Sequence, residues 1–176
     1  NNLADEIYNA PIPTSHPAFE AAEKIVAERI AKLKNINGKQ TVESFHKRLG
    51  KIIWDKCGMA RNAEGLKQAI AEVQALKKEF WSDVRIPGDI NEYNPELDKA
   101  NRVADFIELG ELMCIDALAR EESCGGHFRE EYQTPEGEAL RDDENFMYVA
   151  AWEAKGEHEW SLHKEELKYD VFKPSQ

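Results

Sequence analysis

Apolar residues recur at helical spacing in four segments between residues 14 and 121, and this periodicity constrains the fold more than any other feature. Intervals of three and four residues place side chains on one face of an α-helix. The stripes are Phe19, Ala22, Val26, Ile30 and Leu33; then Val42, Phe45, Leu49, Ile52 and Ile53; then Leu66, Ile70, Val73, Leu76 or Lys77, and Phe80; and finally Leu97, Ala100, Val103, Ala104, Ile107, Gly110, Glu111, Cys114 and Leu118. Four amphipathic helices with short connections predict a helical bundle.

Capping residues mark where these helices begin. Polar side chains that accept hydrogen bonds from free backbone N–H groups favour the first position before a helix. The expected caps are Thr14 or Ser15, Thr41, Asn62 and Asn94. Pro95 suits a first helical turn because its missing N–H is not needed there. The sequence therefore predicts a mainly α fold, an up-and-down three- to four-helix bundle (spectrin-repeat-like) over residues 14–121.

The character of the chain changes after residue 121. A long polar loop comes first, and aromatic and β-favouring residues follow from Phe146 to Trp152. Leu167, Tyr169 and Val171 alternate with polar residues, which is a strand pattern. We expect a small C-terminal antiparallel β ribbon around Gly156. Residues 122–176 then form a polar loop and β tail packed on the bundle.

The pattern of the first residues is typical of the end of an earlier helix. The chain begins with Asn rather than Met, and "NNLADEIYNA" has helical character before the prolines at positions 11 and 13. Residues 1–13 are therefore expected to be the end of a preceding helix and a linker, and the chain a piece of a longer polypeptide. A trimmed N-terminus is the alternative.

Charge and cysteine content exclude several classes of protein. The net charge is −11, which argues against binding a phosphate backbone and against a polybasic membrane patch. No apolar run approaches the roughly 20 residues of a spanning helix, so direct membrane insertion is not expected. Three cysteines without repeating spacing suggest a reducing compartment. Cys57 and Cys114 fall on or beside apolar stripes and are expected to be small core residues.

The loop over residues 122–146 holds the candidate chemistry. Cys124 and His127 are three apart, which could be half of a zinc site or a thiolate pair, but no further ligand pair accompanies them. A turn built on the glycine pair is the preferred interpretation. Arg129 and Arg141 lie among carboxylates that they can bind with two hydrogen bonds. These features predict a polar network that holds the loop in place, and they supply no catalytic set.

The order of residues in this loop resembles a known family. "ALAREESCGGHFREEY" followed by "RDDENF" is similar to the C-terminal domain of succinate dehydrogenase and fumarate reductase flavoprotein subunits. The matching positions are Arg120, Glu122, Ser123, Gly125, His127, Arg129, Glu131, Tyr132, Arg141, Asp142, Asp143, Glu144 and Asn145. An upstream stretch resembles the helix pair of the family through Met59, Arg61, Gly65 and Leu66. The resemblance covers nearly the whole chain.

Departures from the family pattern indicate a divergent, non-proteobacterial branch. Cys124 stands where an arginine is usual, Phe146 replaces a tryptophan, and "QTPEGEAL" is inserted between the two motifs. L-Aspartate oxidase shares the first motif but generally lacks the second. The second motif therefore favours the succinate and fumarate enzymes.

The resemblance implies an enzyme as a whole and a structural role for this segment. The complete subunit would bind FAD covalently, interconvert succinate and fumarate, and pass electrons to an iron-sulfur subunit. The flavin-binding glycines, the flavin-linking histidine and the catalytic arginine lie upstream, so catalytic, cofactor-binding and metal-binding residues are not expected here, and the isolated segment is predicted to be inactive. The candidate interface residues are Glu122, Ser123, His127, Arg129, Arg141, Asp142 and Asp143.

The same resemblance implies partners and a location. The expected partners are the subunit's own flavin domain, the iron-sulfur subunit and, indirectly, a membrane-anchor subunit. The complex would lie on the cytoplasmic face of the inner membrane and be held there by its partner subunits. The alternative is a free-standing helical protein-interaction module in which the polar loop recruits an unrelated partner.

Overall fold

A computed structural model describes residues 12–89 and 92–171. The expected helix end in residues 1–13 lies almost wholly outside the described residues. The elements, in chain order, are α1 Pro17–Asn35, β1 Gln40–Thr41, α2 Val42–Lys56, α3 Ala63–Asp83, β2 Val84–Arg85, α4 Pro95–Ala119, α5 Asp143–Phe146, β3 Tyr148–Gly156 and β4 Glu159–Glu166. The predicted mainly α fold with a C-terminal ribbon is confirmed.

Helices α2, α3 and α4 form an up-and-down three-helix bundle. Ion pairs show the antiparallel direction of α2 and α3, because Arg48 binds Glu79 and, two turns later on α2, Lys56 binds Glu72. The buried core lies between the three helices and joins two clusters of side chains. The first contains Leu33, Val42, Phe45, Leu49, Val73, Leu76, Phe80, Val84, Ala100, Val103, Ala104 and Ile107, and the second contains Cys57, Leu66, Ala69, Cys114 and Ala117.

Three of the four predicted helix caps are present. The side chains of Thr41, Asn62 and Asn94 accept backbone hydrogen bonds at the starts of α2, α3 and α4. The prediction of Thr14 or Ser15 for α1 was wrong, because the His16 ring nitrogen accepts from the Ala18 N–H at 3.1 Å. Proline occupies the first helical position of α1, so the residue directly before it becomes the cap.

Helix α1 lies at the edge of the bundle rather than inside it. Of its predicted apolar stripe, Leu33 is buried, whereas Phe19 and Val26 are 53% and 57% exposed. Arg29 attaches the helix to α4 by hydrogen bonds to the carboxylate of Asp105 (2.6 Å) and the carbonyl oxygen of Asn101 (3.1 Å). Most of the apolar face of α1 is therefore left uncovered by the described residues.

The β ribbon is antiparallel and turns after Gly156, as predicted. Trp152 pairs with Leu162, and Tyr148 pairs with Glu166 at the open end. The strand expected at residues 167–171 is not formed. The Leu167 N–H still donates to the Met147 carbonyl oxygen at 3.2 Å. Because β3 begins at Tyr148, it does not extend far enough to pair with the residues after Leu167.

The ribbon is fixed to α4 at the middle of β3 and at its turn. The indole N–H of Trp152 donates to the Asp116 carboxylate at 2.7 Å, and His158 in the turn binds Glu111. None of the described helices is both long enough and apolar enough to cross a membrane.

Candidate functional site: the polar loop at the end of the bundle

The loop after α4 begins with a tight turn. Cys124 and His127 exchange backbone hydrogen bonds of 2.8 and 3.0 Å, and Gly125 at the tip has φ of 58°. A left-handed backbone of this kind favours glycine because it lacks a Cβ. Within the described residues, no group of three or more His, Cys, Asp or Glu side chains is arranged to hold a metal ion. The two backbone hydrogen bonds place Cys124 and His127 on opposite sides of this turn.

Ser123 and Arg129 close the loop behind this turn. The Ser123 hydroxyl accepts from the Arg129 N–H at 2.8 Å and donates to the Arg129 carbonyl oxygen at 3.1 Å. Both residues are buried. Because a buried backbone group without a partner is costly, this double hydrogen bond is what permits the loop to enter the interior.

The guanidinium of Arg129 sits against the C-terminal end of α4. Its Nη1 donates to the carbonyl oxygens of Ala117 (2.8 Å) and Leu118 (3.2 Å), and its Nε donates to Glu131 at 3.2 Å. The last carbonyl groups of a helix lack partners within the helix and carry partial negative charge. Arg129 is only 2% exposed. The helix carbonyl oxygens and the Glu131 carboxylate compensate its buried positive charge.

The other side of the loop is attached to the start of α3. Arg61 pairs with the loop backbone, donating to the Phe128 carbonyl oxygen and accepting from the Glu130 N–H. Glu131 accepts a hydrogen bond from the Ala63 N–H. Burial raises the pKa of Glu131, but the Ala63 and Arg129 hydrogen bonds outweigh it and hold this pKa below the ordinary value. The loop therefore joins the end of α4 to the beginning of α3.

His127 is held in one neutral form between two arginines. Its Nε2 lies 2.9 Å from the Arg120 carbonyl oxygen, which can only accept, so Nε2 carries the proton. Its Nδ1 is then an acceptor, 3.5 Å from Arg61 Nη1. Burial lowers the pKa of His127, and Arg61, Arg120 and Arg129 lower it further against the opposing hydrogen bond to the Arg120 carbonyl. The ring acts as a neutral spacer.

Glu122 joins α4 to the second motif. Its Oε1 accepts from Arg120 Nε and Nη2 at 2.7 and 2.5 Å, and its Oε2 accepts from the Asp142 N–H at 2.8 Å. The carboxylate is buried, and each oxygen has a donor. Asp142 in turn caps α5 by accepting from the Asn145 N–H at 3.2 Å.

The inserted stretch over residues 133–140 folds on itself and leaves this network intact. Thr134 donates its N–H to the Glu138 carbonyl oxygen at 2.9 Å. Leu140 returns beside the start of the loop, where its N–H donates to Tyr132 and its carbonyl oxygen accepts from Ser123. An insertion whose two ends lie close together is tolerated because it does not displace its neighbours.

The seven sequence-predicted residues divide into two groups. Glu122, Ser123, His127 and Arg129 lie in the buried part of the loop. Arg141 and Asp143 form a separate pair at the surface, with Arg141 Nη2 at 2.6 and 2.7 Å from the two carboxylate oxygens. Asp142 connects the two groups through its N–H. Their role as an interface stays a prediction.

Sequence reasoning missed a buried polar cluster between α3, α4 and the ribbon. Glu111 is 1% exposed and accepts from Gln74 Nε2 at 2.8 Å and from His158 Nδ1 at 2.7 Å. Gln74 and His158 are 37 and 47 positions away from Glu111, and no local pattern in the sequence predicts these contacts. The one signal in the sequence was an acidic residue on an apolar stripe, which predicts a buried partner.

The polar side chains of the loop make their contacts within the domain. In the described residues, the histidine and arginines of the loop bind backbone carbonyls and carboxylates of the same domain. The glycine pair Gly125 and Gly126 lies in a turn after a helix, which does not fit the strand–turn–helix cradle that binds the phosphates of FAD. We assign no flavin contact to these residues.

Several known proteins are similar to this chain. The family described as "Fumarate reductase flavoprotein C-term" matches residues 46–176. The chain is 27% identical over 173 residues to the fumarate reductase flavoprotein subunit of Helicobacter pylori strain 26695, which covers 97% of this chain and 23% of that protein. It is 29% identical over 130 residues to the Escherichia coli K12 subunit, which covers 74% of this chain and 21% of that protein.

A solved structure extends the likeness to three dimensions. A quinol-fumarate reductase containing menaquinol superposes with a TM-score of 0.81 at 25% identity, over 99% of this chain and 29% of that chain. The chain spans less than a quarter of the length of the two curated relatives, 23% and 21%. The likeness thus concerns one part of a larger protein. The chain belongs to the family of fumarate reductase flavoprotein C-terminal domains.

Proposed function

We propose that this chain is the helical C-terminal domain of a flavin-dependent subunit that interconverts succinate and fumarate, and that the domain is a scaffold and interface rather than a reactive site. The family match over residues 46–176 carries the proposal for the whole subunit. The polar loop supports the scaffold role, because its charged groups bind within the domain.

The contacts that the loop residues make within the domain support a non-catalytic role. A general base needs a free lone pair facing a substrate, whereas the Nδ1 of His127 faces Arg61 and its Nε2 faces a carbonyl oxygen. Arg129 is buried and binds helix carbonyls. Neither side chain is placed to touch a dicarboxylate.

FAD would be bound by another part of the proposed subunit. FAD would accept and donate the electrons of the reaction, and the matched relatives are several times longer than this chain, which occupies 23% of the Helicobacter protein. The residues described here would contribute by holding the bundle against that part.

Two exposed surfaces support docking to other parts of the complex. On α4, Phe106, Leu109 and Met113 lie at intervals of three and four residues and are exposed. At the loop, the Arg141 and Asp143 pair faces outward. An apolar face beside a polar rim is typical of a protein interface. The occupants we propose are the flavin domain and the iron-sulfur subunit.

The proposed location follows from the same complex. Association with a membrane would be peripheral, on the cytoplasmic face of the inner membrane, through the iron-sulfur subunit and a membrane anchor. The similar solved structure is that of a quinol-fumarate reductase, and its name links that enzyme to quinol.

The test is to purify the natural polypeptide that carries this chain from its own cells and measure dye-linked turnover. We expect a flavin-containing protein that oxidises a reduced viologen dye with fumarate and that copurifies with iron and acid-labile sulfide. Oxidation of L-aspartate without fumarate reduction would instead favour the oxidase relatives. A colourless 20.1 kDa protein would overturn the proposal and favour the interaction module.

Variants separate assembly from chemistry. Arg141→Ala removes the outward-facing pair, and Asp143→Asn is its matched partner change. We expect both variants to reduce recovery of the iron-sulfur subunit or flavin content while turnover per assembled flavin stays near the wild-type value. Normal assembly with abolished turnover would contradict the scaffold role.

A further inference from the structure

Two cysteines that are far apart in the sequence meet where α2 and α4 converge. Cys57 is the C-cap residue directly after α2, and Cys114 lies in α4. The Cys57 sulfur is 3.9 Å from the carbonyl oxygen of Met113, the residue directly before Cys114. Both side chains belong to one buried cluster, with 5% of Cys57 and 0% of Cys114 exposed.

A glycine lets side chains of α2 pack directly against the backbone of α4 near this place. A Cβ on Gly110 would lie 3.2 Å from Leu49 Cδ1 and 3.4 Å from Ile53 Cδ1. Cys114 follows Gly110 by one helical turn, and Cys57 follows Ile53 by one turn. The contact between α2 and α4 therefore continues one turn further on, where the Cys57 sulfur lies 3.9 Å from the backbone next to Cys114. A disulfide requires the two Cα atoms to be about 4.4–6.8 Å apart.

The electrostatic surroundings distinguish the two thiols. A hydrogen bond from Cys114 lowers the pKa of Cys57 to about 7, since it and the charge of Arg61 outweigh burial and the charge of Asp116. The same hydrogen bond, burial and the charge of Glu111 raise the pKa of Cys114. Cys57 is therefore the thiol that loses its proton at the lower pH, and Cys114 keeps its proton.

We propose that Cys57 and Cys114 are a redox-active pair that forms a reversible disulfide between α2 and α4 when the protein meets a hydroperoxide. The Cys57 thiolate attacks one peroxide oxygen, the O–O bond breaks, and the alkoxide or hydroxide leaves with a proton from solvent. Cys57 becomes a sulfenic acid. The Cys114 sulfur then attacks the Cys57 sulfur, and hydroxide leaves with the Cys114 proton as water. The two thiols lose two electrons, and the peroxide gains them.

Burial makes this reaction selective. Cys57 keeps a small exposed fraction and Cys114 has none, so a small peroxide reaches Cys57 first, whereas bulky disulfides are excluded.

The new bond would close a loop that contains all of α3. It would also fix the end of α2 four residues before Arg61, which supports the polar loop. The inference does not depend on the proposed function.

The experiment uses the natural polypeptide purified with reductant, desalted, and exposed to hydrogen peroxide at pH 7.5 while folded. After quenching, denaturation and alkylation, mass spectrometry of peptides should show Cys57 joined to Cys114 with loss of two hydrogens, reversed by dithiothreitol. Cys124 is the internal reference because it is the more exposed cysteine. Free Cys57 and Cys114 at a peroxide dose that oxidises Cys124 would overturn the proposal.

Substitutions at position 114 test the chemistry of the first step. Cys114→Ser keeps a hydroxyl donor but removes the second sulfur, so Cys57 should stop as a sulfenic acid that dimedone traps. Its trapping rate should rise about tenfold from pH 6 to pH 8 and then level off, as a thiolate titrating near 7 requires. Cys114→Ala removes the donor, and its rate should keep rising above pH 8. Equal profiles for the two variants, or no trapping in either, would overturn the assignment of Cys57 as the thiolate.

Discussion

The Nη1 of Arg129 lies 2.8 Å from the carbonyl oxygen of Ala117, so a side chain from the loop closes the C-terminal end of α4. The last carbonyl groups of a helix have no partners within it. Arg129 supplies donors to those of Ala117 and Leu118 and is itself neutralised by Glu131. One buried side chain thus attaches residues 123–131 to the bundle.

Replacing Arg129 with methionine should destabilise the chain strongly. Methionine keeps an apolar stem but leaves the α4 carbonyls without donors and Glu131 without its partner, so we expect a loss of about 2–4 kcal/mol in unfolding free energy. Urea unfolding followed by circular dichroism measures this loss. The matched control is Arg141→Met, because Arg141 is exposed and pairs at the surface. An equal effect of the two changes would contradict the role given to Arg129.

The stability of the loop should depend on pH through His127. Its folded pKa lies below the unfolded value of about 6.5, so between the two values the unfolded chain binds more protons. The stabilising contribution is therefore complete above about pH 6.5 and is lost as the pH falls through the folded pKa. His127→Gln cannot titrate. The advantage of wild type over this variant should shrink from pH 7.5 to pH 5 in urea unfolding, and an advantage that is constant over this range would contradict the prediction.

Two glycines in neighbouring helices should respond in opposite directions to alanine. Gly50 lies on α2 with nothing within 4 Å of an added Cβ, so Gly50→Ala should stabilise by about 0.5–1 kcal/mol through helix propensity. Gly110 faces Leu49 and Ile53, so Gly110→Ala should destabilise by about 1–3 kcal/mol through overpacking. Thermal unfolding of both variants measures the difference. Stabilisation by both changes would contradict the prediction and would mean that the Leu49 and Ile53 side chains can shift at little cost.

The turn of the ribbon should loosen when its contact to Glu111 is removed. His158 has φ of 60°, and asparagine tolerates this backbone but is too short to reach the carboxylate. His158→Asn should therefore keep the turn, accelerate hydrogen exchange of ribbon amides near it, and leave the α4 amides protected. His163→Asn is the matched control, because His163 and its partner Glu153 are both exposed. Faster exchange in the control as well would contradict the anchoring role of Glu111.

Local patterns along the chain predict the long helices, the ribbon turn and their order. Apolar spacing at Phe45 and Leu49, and caps at Asn62 and Asn94, are local properties, and the helices they predict are present. The same holds for the turn after Gly156, since two strands separated by a short turn are adjacent in sequence. Local signals failed at residues 167–171, where a strand pattern has no partner strand because β3 begins at Tyr148.

The contacts between distant residues depend on how the helices and the ribbon pack together. Arg129 and Arg141 have the same side chain and lie in the same polar stretch, yet one is buried at a helix end and the other is exposed. Glu111 and His158 are more than forty positions apart, as are Cys57 and Cys114. The first pair meets where the ribbon packs on α4, and the second where α2 packs on α4. Burial, charge balance and pKa depend on these distant neighbours, because they arise from all the atoms around a group and not from its place along the chain.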